Sequence, residues 1–146
     1  MSISTTKNVS SAKNKEKNGE VDKLVSTITG KVVRGNQIGR TIGFPTANLY
    51  IGTEPSFLEK GVYGVQVFHN NKQYTGIMNI GTRPTIDSKE LKIHYEVHIL
   101  NFSEMIYDQV LTVNVRFFVR QEMKFDSLDQ LMEQIRKDID FIRKRL

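Results

Sequence analysis

The residues best suited to chemistry lie between Gly35 and Asn48, in the run GNQIGRTIGFPTAN. Gly35, Gly39 and Gly43 fall within nine residues. Backbone amides there can approach a ligand without side chains in the way, and successive amides in such turns form anion-binding nests. Arg40 adds a planar, permanently charged fork suited to phosphate. A plain glycine-rich hairpin loop would have the same composition. The run is not a P-loop, which needs four residues between the glycines and a lysine after the second. Here three residues separate Gly35 from Gly39, and Arg40 follows.

Pro45 fixes its φ and presets the turn. Thr46 and Asn48 are two apart, so in an extended segment their oxygens face the same way. Hydroxyl and amide oxygens are hard ligands that suit Mg²⁺, which keeps waters and shares itself with substrate phosphates. Thr and Asn are equally ordinary turn formers, and spacing alone leaves both readings open. Further along, Glu96 lies among alternating residues with His94 and His98, on what reads as the polar face of a strand. A solvated glutamate is the usual occupant of such a face. Two histidines on one strand can also bind zinc. Only His69 remains to complete such a site, so His94 and His98 are read as polar-face residues near the mouth of the site.

The elements that must hold these groups are mostly strands. Ile28 to Val33 is β-branched and ends near Gly35. Tyr63, Val65 and Val67 alternate with Gly64, Gln66 and Phe68, Asn70-Asn71 reads as a hairpin turn, and Tyr74 to Ile80 as the returning strand. Leu91, Ile93, Tyr95, Val97 and Ile99 share one face opposite Lys92, His94, Glu96 and His98, the cleanest alternation in the chain. Leu111, Val113, Val115, Phe117 and Val119 repeat it. The period then changes. Leu128, Leu131, Ile135, Ile139, Ile142 and Leu146 follow a helical spacing, and Ser127 with Gln130 forms a capping box at its start. The helix is predicted from about 128 to the end. Strands followed by one helix, with no strand–helix–strand unit, exclude a Rossmann fold. A small antiparallel barrel packed against one helix is the natural architecture, since closure removes exposed edges.

Composition is consistent with this. The chain has 146 residues, 38% apolar and 25% charged, with a net charge of +5 and no cysteine. One domain of modest core is expected, and disulfides, zinc–thiolate sites and thiol nucleophiles are excluded. No apolar run approaches the roughly 20 residues of a membrane span, and the polar N-terminus has no secretory h-region; a cytoplasmic location is expected. Residues 1–24 are polar and are expected to be a disordered tail, with a folded domain over 25–146. Lys and Arg are interrupted by acids, so the charge suits a small polyanion such as a nucleotide. Nucleic acid is not expected as a partner.

The GRTIGFPTAN segment resembles the signature of riboflavin kinases (flavokinases), especially the kinase half of bifunctional bacterial riboflavin kinase/FAD synthetases. The resemblance continues through GVYG at 61–64, MNIGTRPT at 78–85, EVH at 96–98 and RQEMKFDSL at 120–128. It covers roughly 26–146, with several separated motifs in the family's order. It implies a mainly β, six-stranded antiparallel Greek-key barrel with a C-terminal α-helix. It implies ATP, Mg²⁺ and riboflavin as ligands and FMN as product. By the same resemblance, Gly35 and Arg40 would lie on the ATP phosphate flap, and Thr46 and Asn48 would hold Mg²⁺ and nucleotide phosphates. Glu96 would be the catalytic base, and Tyr107, Arg120, Met123 and Phe125 would line the flavin site. A monomer acting on small molecules is expected, without a membrane.

Gln121 stands where some relatives have Pro or Asp. The chain has no H-x-G-H motif of the adenylyltransferase half, so FAD synthesis is not expected. The alternative reading is a flavin-binding regulatory module acting on RNA or a protein partner through the basic tail and Arg143-Lys144-Arg145. Intact Thr46, Asn48 and Glu96 favour the enzyme.

Overall fold

The structure, a computed structural model, describes residues 3–4, 26–34, 43–52, 58–84 and 91–146. Seven strands are described: β1 (Ile3–Ser4), β2 (Ser26–Val33), β3 (Ala47–Tyr50), β4 (Gly61–His69), β5 (Lys72–Pro84), β6 (Leu91–Ile99) and β7 (Val110–Arg120). One helix, α1 (Leu128–Arg143), follows. Every pairing is antiparallel, in the order β1-β2-β3-β6-β5-β4-β7, and β2 also pairs with β7. That last pairing closes β2 to β7 into a six-stranded barrel. The hairpin-linked strands β4, β5 and β6 have β7 returning beside β4, which is a Greek key. No described helix is long and apolar enough to cross a membrane.

The β4–β5 hairpin turns on Asn70 and Asn71, with φ of 49° and 64°. Positive φ at both central residues makes a twist that matches the strands, and asparagine tolerates it. The β6 alternation predicted from sequence holds over its second half: Tyr95, Val97 and Ile99 are buried inside the barrel, whereas Ile93 is exposed. They meet Ile28, Val65, Val67, Met78 and Leu111 there. Each such side chain contributes about 1.5–3 kcal/mol on burial.

The reading of β7 as one continuous face is corrected. Val65 pairs with Val115, but Gly64 pairs with Phe117, so the ladder shifts between them. A second shift falls between Val62, opposite Arg120, and Tyr63, opposite Phe118. Each extra residue turns the following side chains to the other face. Leu111, Val113 and Val115 therefore fill the barrel, whereas Phe117 and Val119 pack outside it with Val62, Ile77 and Ile142. Gly64 makes room for this. A Cβ there would lie 2.5 Å from Phe117 Cζ.

This outer cluster seats the helix. Ser127 caps α1 and accepts from the Gln130 amide at 3.2 Å. Gln130 Oε1 reaches past the cap to accept from the Asp126 amide at 3.0 Å, one residue beyond the predicted box. The helix ends at Arg143, before the predicted chain end. Of the tail over 1–24, only Ile3–Ser4 is described, paired with Thr27 and Ile28 of β2; the rest of that expectation lies outside the described residues.

Candidate active site

β3 is short because Pro45, just before it, offers no amide to a ladder. It was not separated as a strand by its sequence pattern, yet it positions the site. Asn48 pairs with Val33 on one side and Glu96 on the other, and Glu96 pairs in turn with Asn79 of β5. Residues directly opposite share a sheet face. Tyr95 and Val97 flank Glu96 and point into the core, so Asn48, Glu96 and Asn79 form a polar row on the outer wall. Asn48 is buried and Glu96 half-buried. Thr46 completes the group, its Oγ1 3.3 Å from Glu96 Oε2.

Two clefts flank the Pro45–Thr46 segment. The smaller, about 270 Å³, is lined by Val32, Thr46, Ala47, Phe102 and Tyr107 among others. The larger, about 700 Å³, lies between Phe44–Pro45, the end of β6 and α1, with His98, Arg136, Asp140 and Arg143 on its walls. His98 Nδ1 lies 2.7 Å from the Pro45 carbonyl oxygen, and its ring meets Phe44 edge-on at 5.6 Å. Desolvation lowers the His98 pKa from its usual value; the Pro45 bond opposes this, and Arg143 adds to it.

The riboflavin kinase model (Flavokinase) matches residues 23–146. The chain belongs to the riboflavin kinase family. It is 40% identical to the RNA-binding riboflavin kinase RibR of Bacillus subtilis over 83% of this chain and 51% of that protein. It is 43% identical to the bifunctional riboflavin kinase/FMN adenylyltransferase of Haemophilus influenzae over 77% of this chain and 36% of that protein. The chain thus spans about half, or less, of these relatives. Among solved structures it resembles a macrolide-efflux protein from Streptococcus pneumoniae, with TM-score 0.75 and 31% identity over 92% of this chain and 46% of that one. It also resembles riboflavin kinase from Trypanosoma brucei, with TM-score 0.54 and 25% identity over 81% of this chain and 77% of that one.

Against this riboflavin kinase frame, the expected site residues fall into distinct groups. Thr46, Asn48 and Glu96 are brought together. Gly35 and Arg40 lie outside the described residues. Of the four expected flavin-lining residues, Tyr107 precedes β7 and Arg120 ends it. Tyr107 shares the smaller cleft with Thr46, and Arg34 lies over its ring at 4.5 Å from the centroid.

Arg120 is engaged with α1. Its Nε donates to both Asp138 oxygens at 2.9 and 3.0 Å, and Nη2 donates to Oδ2 at 2.8 Å. Nη1 donates to the Gln121 carbonyl. Arg120 is thereby a brace between the barrel and α1. Asp138 is 2% exposed, and Gln134 Nε2 donates to it as well. Met123 is exposed and Phe125 half-buried in the connection that Arg120 and Ser127 bracket.

Sequence reasoning missed Asn79 and Arg34. Asn79 is exposed on the outer wall next to Glu96, a neighbour that only strand register reveals. Arg34 could have been suspected as a cation entering the glycine run.

For the metal, the donor chemistry decides the fit. No described cluster of three or more His, Cys, Asp or Glu residues could hold an ion by itself. The Thr46 hydroxyl and the Asn48 amide oxygen are hard donors, and would suit Mg²⁺ shared with phosphate and water.

Proposed function

We propose that the chain transfers the terminal phosphoryl group of ATP to the 5′-hydroxyl of riboflavin, giving FMN and ADP. The observation that carries this is the meeting of Thr46, Asn48 and Glu96 on one outer barrel face, within a chain of the riboflavin kinase family. Phosphoryl transfer asks the protein mainly to position groups and offset charge.

Thr46, at the edge of the smaller cleft, and Asn48 would hold Mg²⁺ and the nucleotide phosphates. Bound Mg²⁺ supplies neutralisation of phosphate charge. Gly35 and Arg40 are assigned to the nucleotide phosphates, where Arg40 would offset charge on the transferred group. Tyr107 would line the flavin site from the cleft it shares with Thr46. Met123 and Phe125 offer the apolar surface a flavin ring requires, and Arg120 fixes the connection that carries them.

Glu96 accepts the proton of the ribityl hydroxyl. The freed oxygen bonds to the γ-phosphorus, the bond from that phosphorus to the bridging oxygen breaks, and ADP departs. Residues 25–146 form the kinase unit, with a cytoplasmic setting, a monomeric state and small-molecule partners as parts of the same proposal. Incubation with riboflavin and Mg-ATP, followed by separation of flavins, tests it. FMN without FAD is expected. Unchanged riboflavin would overturn the reading, and FAD would overturn its restriction to one phosphoryl transfer.

A further inference from the structure

The Thr46 hydroxyl stands 3.3 Å from Glu96, yet the two belong to different parts of the chain. Glu96 is on a strand paired on both sides, by β3 and β5. Thr46 sits outside any ladder, between Pro45 and the first residue of β3. Pro45 has no amide to donate, so this turn has one fewer backbone tether. The carbonyl oxygen is the one backbone polar group Pro45 keeps, and His98 Nδ1 meets it at 2.7 Å.

The placement of His98 suits that task. It is two residues beyond Glu96 on the same face of β6, so its ring and the Glu96 carboxylate rise from one rigid strand. Its ring also lies edge-on to Phe44, at 5.6 Å. One side chain therefore grips two consecutive residues, by a hydrogen bond and a ring contact, immediately before Thr46. A carbonyl oxygen only accepts, so Nδ1 carries the proton in this contact.

We infer that His98 is a positioning residue. Through the Pro45 carbonyl and the Phe44 ring it sets the distance between Thr46, on the metal and phosphate side, and Glu96, on the hydroxyl side. The inference rests on the kinase reading above. It asks nothing of His98 as an acid or base and puts it in contact with neither substrate. Misplacement of reacting groups by about 1 Å can cost on the order of a hundredfold in rate, so a residue that holds this gap matters without touching the reactants.

The test compares His98→Asn with His98→Ala in the full chain. The Asn side-chain amide can place a donor where Nδ1–H stands; Ala cannot. Loss of one such bond corresponds to roughly a threefold to tenfold change. For His98→Ala, the KM for Mg-ATP and the Kd for Mg-ADP by calorimetry should both rise by about that factor, while the KM for riboflavin stays within twofold. His98→Asn should recover most of the nucleotide affinity. Nitrogen NMR of wild-type imidazole should show His98 protonated at Nδ1. Melting temperatures of both variants are recorded alongside.

Unchanged Mg-ADP affinity in a folded His98→Ala protein would overturn the inference. Equal losses in Asn and Ala would do so too, as would an unprotonated Nδ1 in the wild type. If His98→Ala does not fold, His98→Asn and the tautomer decide. A wild-type protein that makes no FMN strikes the kinase reading instead. In that case Mg-ADP affinity and the tautomer still report on whether His98 orders the Thr46 turn.

Discussion

Asn48 and Glu96 stand directly opposite one another where β3 and β6 pair. This cross-strand relationship fixes an amide and a carboxylate on the same outer face, beside the Thr46 hydroxyl. It separates two kinds of role by position: groups on the Pro45–Asn48 segment and a carboxylate on β6.

Glu96→Gln keeps size and shape but cannot take a proton. Turnover should fall by about 10²–10⁴, as for loss of a general base, while Mg-ATP affinity and melting temperature stay near wild type. Thr46→Ala and Asn48→Ala should weaken Mg-ATP binding as well as slow the reaction. Steady-state kinetics and nucleotide titration of the three variants check this. Near-normal turnover in Glu96→Gln would return that residue to an ordinary polar-face role.

Arg120 and Asp138 form an ion pair with 18% and 2% side-chain exposure. Removing one partner of a buried pair leaves the other charged and unmatched, which costs about 3–5 kcal/mol. Arg120→Ala should therefore lower stability by that order in urea unfolding. It should also raise the riboflavin KM more than the Mg-ATP KM, because the 121–126 connection loosens. A surface-like loss under 1 kcal/mol would show that α1 is seated by its apolar contacts alone.

The β7 bulge makes Gly64 specific. A Cβ at position 64 would fall 2.5 Å from the Phe117 ring, and overpacking of this kind costs about 1–3 kcal/mol. Gly64→Ala should show this in its unfolding midpoint. Adding Phe117→Leu should recover part of it, because the smaller side chain frees the space. Simple addition of two losses would place the Phe117 ring elsewhere.

His98 gives a pH dependence of defined sign. Its folded pKa is lowered, chiefly by desolvation, with Arg143 acting in the same direction and the Pro45 carbonyl against it. Arg136 and Asp140 line the same cleft. The unfolded chain, with a histidine pKa near 6.5, takes up a proton before the native state does. Native stability from this group is therefore present above about pH 6.5 and is lost as pH falls. Unfolding free energies from pH 8 to 5 should drop more steeply for wild type than for His98→Asn. Parallel profiles would remove His98 as the source.

Local regularities were legible in the amino-acid sequence. The alternation of β6, the Asn70-Asn71 turn and the Ser127 cap depend on residues a few positions apart, where side-chain period and backbone preference act directly. The GRTIGFPTAN segment and Glu96 could be picked out as chemistry-bearing by type and by resemblance. Tertiary structure decided the rest. Thr46 and Glu96 are 50 positions apart, and only the β3–β6 ladder brings them within 3.3 Å. The register shift between Gly64 and Val65 of β4 turned Phe117 and Val119 outward to the helix; a bulge depends on the partner strand, so period-two counting on β7 could not find it. The pairing of Arg120 with Asp138, 18 residues on, was not legible in the sequence. A charge that would be costly to bury alone is held by whichever opposite charge the fold places beside it. Which one that is follows from packing, and a single strand's pattern does not contain it.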